Sequence, residues 1–324
     1  MLTNHGIWQS RLLFSRRVVK MKKLMRSKVG RVTLVVAFFT LLLTGTAKAA
    51  EPGTRDTEPI PTVFVHGLKG SAKSTNGMIS YFSHRYYGAA RVQTINIEPD
   101  GELNVQGEYQ WIDHPLIQIN FVNRNASIPQ DNLWLAKALH YIKVQDGVKR
   151  YYAVGHSAGC VTLLQTEMVS RRQLPIMEKF VSVAGCYNGL LKENDFPHAV
   201  RLDDHYRPDH WYPADSQYPA FKTLMRQAKY FPKDVQVLNI YGDLGNGTNS
   251  DGKVTTQSAL SLNYILRHQL LKVKNVRFTG SFYQHSGLRK SPAVYQCIGT
   301  FLWHQRAQNG AIIHPQPEPT AAHN

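Results

Sequence analysis

Two rhythms of apolar positions alternate along the chain. Thr62-Val63-Phe64-Val65, Tyr151-Tyr152-Ala153-Val154, Lys179-Phe180-Val181-Ser182-Val183-Ala184 and Val235-Gln236-Val237-Leu238-Asn239-Ile240 are short apolar runs, the signature of strands buried on both faces. Residues 91–97 and 117–122 alternate as strands, and 274–280 reads as a last one. Between these runs the spacing turns helical: residues 78–87, 128–144 (Leu133, Ala136, Leu139, Tyr141, Val144), 256–271 and 292–305, with a short helix near 221–229. Strands alternating with helices predict an α/β fold, a mostly parallel central sheet with helices on both faces.

The rhythm breaks in three places. Residues 98–107 are polar and read as a turn. Residues 187–233 are polar, aromatic and punctuated by proline, as in Asn194-Asp195-Phe196-Pro197 and His210-Trp211-Tyr212-Pro213, and are read as a cap insertion within a domain spanning 50–308. Residues 309–324 are polar and proline-rich, and a disordered tail is expected there.

Charge changes the picture at the N-terminus. The 324 residues carry a formal charge of +16, which on its own suggests a nucleic-acid partner. Residues 1–49 hold ten of the 38 basic side chains and none of the 22 acids, leaving a body with a surplus of only six and no long basic run. That argues against nucleic acid. Lys20 to Arg31 form a basic region, residues 32–43 an uncharged apolar core, and Thr46-Ala47-Lys48-Ala49 an A-x-A cleavage site. Residues 1–49 are therefore read as a signal peptide cut near Ala49, with a secreted or cell-surface location. An uncleaved anchor is the alternative. The three cysteines, Cys160, Cys186 and Cys297, are an odd number for an exported chain. Buried thiols are expected, with a Cys160–Cys186 bond the other possibility.

The candidate chemistry centres on Gly155-His156-Ser157-Ala158-Gly159. A serine between two glycines, after an apolar strand and before a periodic helix, is a nucleophile elbow. The turn forces the serine to positive φ, and residues two before and two after must be tiny for strand and helix to close up. The helix start also directs its N–H groups and positive dipole end towards the serine. A serine hydroxyl needs a base, and the base needs an orienting acid. In this fold they follow in the order Ser, acid, His. His285, after the last strand, is the candidate base. Asp251 is the candidate acid because Gly252 follows it and it stands close to the next helix; Asp243 is the rival, in a glycine-rich run that reads as a turn. The strand 62–65 ends in His66-Gly67, which places the Leu68 amide, with that of Ala158, as the candidate oxyanion hole.

With these residues in view, the chain resembles the α/β-hydrolase superfamily. More narrowly it is similar to exported α/β hydrolases of unknown function assigned to the cell surface of low-GC Gram-positive bacteria. Phe64-Val65-His66-Gly67, the elbow, Ser250-Asp251-Gly252-Lys253-Val254 and Gln284-His285-Ser286-Gly287-Leu288 carry the likeness, over roughly residues 58–306. Such relatives often continue from His-Ser-x-Leu into His-x-Asn; Arg289-Lys290-Ser291 stands there in this chain. The resemblance implies hydrolysis and supplies no substrate. The resulting expectation is a serine hydrolase cleaving small-molecule or lipid esters through Ser157, His285 and Asp251, without a cofactor, and with a peripheral link to the cell envelope open. Amide or thioester hydrolysis and acyl transfer use the same triad. A non-catalytic surface-binding protein is the rival from another class. No metal is expected: His198, Asp203, Asp204, His205, Asp209 and His210 match no zinc spacing, and the loop around Asn249 and Asp251 lacks the first and twelfth calcium ligands, with Gly247 and Ser258 there.

Overall fold

The computed structural model describes residues 58–269 and 273–304; the signal peptide expected at 1–49 and the disordered tail expected at 309–324 lie outside these. Eight strands form one sheet: β1 (Thr62–Val65), β2 (Ala89–Ile97), β3 (Leu103–Gln106), β4 (His114–Phe121), β5 (Arg150–His156), β6 (Ile176–Val183), β7 (Gln236–Asp243) and β8 (Val273–Thr279). Their order is β3-β2-β4-β1-β5-β6-β7-β8. Every neighbouring pair is parallel except β2 and β3. The helices are α1 (Lys73–Arg85), α2 (Ile128–Val144), α3 (Ala158–Ser170), α4 (Phe221–Gln227), α5 (Thr256–Ile265), α6 (His285–Leu288) and α7 (Pro292–Trp303). No helix among the described residues is long and apolar enough to cross a membrane.

Strand alternation divides the apolar side chains between two cores. Val63 and Val65 of β1 join α2, α3, α4 and α5 on one face. Phe64 joins α1 and α7 on the other, where Phe82, Tyr86, Tyr295 and Trp303 pack ring against ring. α2 begins where the pattern predicts, because Ser127 caps it by accepting from the Gln130 amide and proline sits in its first turn. Residues 98–107 hold more than a turn: β3 adds an antiparallel edge to β2, with alternating exposure too short to register as a strand. α1 starts five residues earlier than its apolar spacing indicates, through the polar run Lys73-Ser74-Thr75-Asn76-Gly77. α5 stops at Ile265, six residues short of the expected end.

α3 differs most from its expected one-sided burial. Residues 158–168 are all buried, polar ones included. Asn132 of α2 donates to Gln165, whose amide donates to Gln227, and Tyr151 donates to Glu167 at 2.6 Å. The second Glu167 oxygen has no partner, and burial pushes its pKa from 4.5 up to about 7. Burial likewise lifts Asp131, in the first turn of α2, to about 8. Both carboxyls hold a proton in the folded state over a pH range where the unfolded chain has lost it. Stability should therefore fall as pH rises from about 4 towards 8. Glu167→Gln should raise the melting temperature by several degrees at pH 8 and change it little at pH 4.5. Equal effects at the two pH values would remove the buried charge from the account.

Candidate active site

The strand β5 runs into α3 through Ser157, whose φ is +56° and ψ −127°. The neighbouring glycines are needed for space. A Cβ on Gly155 would lie 2.8 Å from the Cys160 Cα, and one on Gly159 would lie 2.5 Å from the His66 carbonyl oxygen. The Ser157 amide donates to the Val183 carbonyl at 2.9 Å, which fixes the elbow to β6.

Three expected residues come together. His285 Nε2 stands 2.9 Å from Ser157 Oγ, and His285 Nδ1 stands 2.8 Å from Asp251 Oδ2. All three are buried. A carboxylate only accepts, so Nδ1 carries the proton and Nε2 is free to accept from the serine hydroxyl. The backbone repeats the attachment, because the His285 amide donates to the Asp251 carbonyl at 2.8 Å. The other Asp251 oxygen accepts from the Lys253 amide at 2.9 Å and the Val254 amide at 2.7 Å. Gly252, at φ +87°, permits that turn. An isolated bridge between Ser250 and Thr255 closes the excursion after β7 and returns Asp251 to the sheet edge.

Asp243 is engaged elsewhere. It pairs with Arg277 of β8, accepts from the Gly245 amide at 2.9 Å, and its carbonyl accepts from the Gly280 amide. It ties β7 to β8.

Gly67, which precedes Leu68, packs against the elbow. A Cβ on Gly67 would sit 2.9 Å from the Ser157 Cβ and 3.1 Å from the Ala158 nitrogen. Neither the Leu68 nor the Ala158 amide has a protein acceptor among the described residues. The loop holding Leu68 is braced at both ends. His66 accepts the Phe121 amide at Nε2 and donates from Nδ1 to the Gly67 carbonyl. Arg124 donates to the carbonyls of Lys69 and Gly70, while the Lys69 amide donates to the Arg124 carbonyl. Unengaged amides are the donors that a developing oxyanion requires.

Sequence reasoning passed over two supports. His156 donates from Nε2 to the His285 carbonyl at 3.1 Å; burial holds its pKa well below 6.5, so it stays a neutral donor. Asp195, on the insertion, accepts from Thr255 Oγ1 at 2.8 Å, Tyr212 Oη at 2.9 Å and the Phe196 amide. It thereby ties the insertion to the loop of Asp251. In the sequence Asp195 stands only within the proline-punctuated Asn194-Asp195-Phe196-Pro197 of the insertion. The insertion also encloses a narrow crevice against α3, lined by Val161, Tyr187, Asn188, Leu190, Asn194 and Phe221. Val161 stands one turn into α3 from Ser157.

Cys160, Cys186 and Cys297 are free thiols, the first two buried. The insertion carboxylates are used in turns, Asp203 by the amides of His205 and Arg207 and Asp209 by Arg201. No group of three or more metal-ligating side chains gathers among the described residues.

A family model described as "Alpha/beta hydrolase of unknown function (DUF915)" matches residues 51–305. Among solved structures, the lin2722 product of Listeria innocua superposes with a TM-score of 0.66 at 20% identity, covering 77% of this chain and 96% of its own. A presumed cell surface hydrolase of Lactobacillus plantarum superposes with a TM-score of 0.60 at 20% identity, covering 77% of this chain and 93% of its own. At that identity the likeness establishes the fold. No curated protein matches the sequence.

Proposed function

The chain belongs to this family of α/β hydrolases, and on that premise we propose that it is an exported serine esterase. The observation that carries the reading is the unbroken chain of hydrogen bonds from Asp251 through His285 to Ser157, next to the two unengaged amides of Leu68 and Ala158. Ser157 Oγ attacks the acyl carbon while His285 Nε2 takes its proton. The carbonyl oxygen takes up negative charge facing the two amides. Collapse breaks the bond to the alcohol oxygen, which leaves with the proton from His285. Water then attacks the acyl-enzyme with His285 as base, and Ser157 regains its proton. Asp251 holds the imidazole in the required tautomer and stabilises it when charged.

Residues 1–49 supply the export half of the reading, and with it a secreted or cell-surface location. Amide or thioester hydrolysis and acyl transfer differ in the acceptor and leaving group, not in this machinery. The discriminating experiment combines a fluorophosphonate probe, mapped by peptide mass spectrometry, with p-nitrophenyl esters of increasing acyl length and matched p-nitroanilides. Labelling at Ser157 and turnover of esters above anilides are expected. Absence of labelling would favour a binding protein that keeps the fold.

A further inference from the structure

The loops that carry the site are rich in cations. Lys69 directly follows Leu68, Lys253 stands two residues after Asp251, and Arg289 and Lys290 follow His285 by four and five. Lys192 joins them through the neighbouring Leu191 amide, which donates to the Lys253 carbonyl at 2.8 Å. The carboxylates of the same loops are engaged internally. Asp251 serves His285, Asp195 serves Thr255 and Tyr212, and Asp243 serves Arg277. Glu193 alone is exposed there.

Arg289 is the cation nearest the chemistry. It closes α6 one helical turn after His285, a spacing that puts both on one side of the segment. Its backbone is fixed, because Tyr295 donates to its carbonyl at 2.7 Å. The residue is half-buried, yet its guanidinium makes no ion pair or hydrogen bond among the described residues. Its charge acts on His156, whose ring centre lies 5.0 Å from that of His285. Guanidinium groups withdrawn from water are ordinarily paired. This one stands unpaired one helical turn from His285, whose imidazole must itself become cationic at the transition state. With a neutral ester the two positive charges oppose each other. An anion brought by the substrate would pair with the guanidinium and relieve that opposition.

We infer that the substrate is an ester bearing an oxyanion, carboxylate or phosphate, on its alcohol portion, and that Arg289 receives it. The alcohol side follows from the chemistry: the leaving oxygen takes its proton from His285, so that half of the ester lies towards α6. A guanidinium matches either oxyanion with two parallel hydrogen bonds. The inference rests on the serine-esterase reading.

The test compares kcat/KM for O-butyryl glycolate, 2-butyryloxyethyl phosphate and the neutral O-butyryl glycolamide, with phosphonate labelling as a control. The wild type should prefer at least one anionic ester over the neutral one by about tenfold or more. Whichever anion wins identifies the headgroup. Arg289→Gln should bring the anionic-to-neutral ratio close to one, and Arg289→Lys should leave an intermediate ratio. Added salt should erode the wild-type ratio. Labelling at Ser157 with no charge preference overturns this inference alone, as does a preference that survives in Arg289→Gln. Loss of labelling in the wild type overturns the esterase reading instead. Should Arg289→Gln fail to fold, the lysine variant and the salt series decide the same question.

Discussion

Ser157→Ala is expected to abolish phosphonate labelling and to lower ester turnover by about 10⁶-fold, the scale of loss when the nucleophile is removed from a serine hydrolase. The expectation follows from local geometry. The serine oxygen is the only part of residue 157 that alanine lacks, and its neighbour is His285 Nε2 at 2.9 Å. The residue is held at φ +56° by the fold around it, and alanine meets the same backbone strain as serine. The Ser157 amide keeps its bond to Val183 in the variant. Melting temperature should therefore change by no more than about 2 °C. Residual turnover above the uncatalysed rate is expected, because the Leu68 and Ala158 amides remain. A variant that is still labelled, with unchanged stability, would place the nucleophile elsewhere.

What the sequence revealed and what it concealed have physical causes. The elbow was legible because its constraints are local: a strand, a turn and a helix within ten residues leave no room for a side chain at 155 or 159. The sheet was legible because strands buried on both faces must be continuously apolar, as at Val63, Phe64 and Val65. β3 was concealed because an edge strand with one exposed face needs little apolar content. The burial of Gln165 and Glu167 was concealed because their partners come from α2, α4 and β5, far off in sequence. Asp195 was concealed for the same reason; its bond to Thr255 spans 60 residues. Arg289 stands out in the sequence only as part of the departure from His-x-Asn, with nothing to say whether an acid pairs with it. Only the fold reveals that no acid among the described residues answers it.

Asp251→Asn should cost about 10⁴-fold in turnover, and Asp243→Asn should cost little of it. The two aspartates lie eight residues apart, Asp243 at the end of β7 and Asp251 in the loop beyond it, and sequence offers turn chemistry for both. The fold separates them. Asp251 presents one oxygen to His285 Nδ1 at 2.8 Å and has the other fixed by the amides of Lys253 and Val254. An asparagine there keeps the shape. It also allows an amide N–H to face Nδ1, which favours the tautomer with the proton on Nε2, directed at Ser157. That tautomer cannot accept the serine proton, and the imidazolium loses its counter-charge. Asp243, by contrast, neutralises Arg277 on β8 and accepts from Gly245. Its side chain is buried, so the amide leaves a partly buried guanidinium without its charge partner. The expected signature of Asp243→Asn is a melting temperature lower by several degrees with kcat within a few-fold of the wild type. The two variants should thus part in opposite directions, one inactive and stable, the other active and less stable. Turnover measured well below both melting temperatures separates the outcomes. A larger loss of kcat in Asp243→Asn than in Asp251→Asn would transfer the acid to Asp243 and require the loop at 244–255 to open before catalysis.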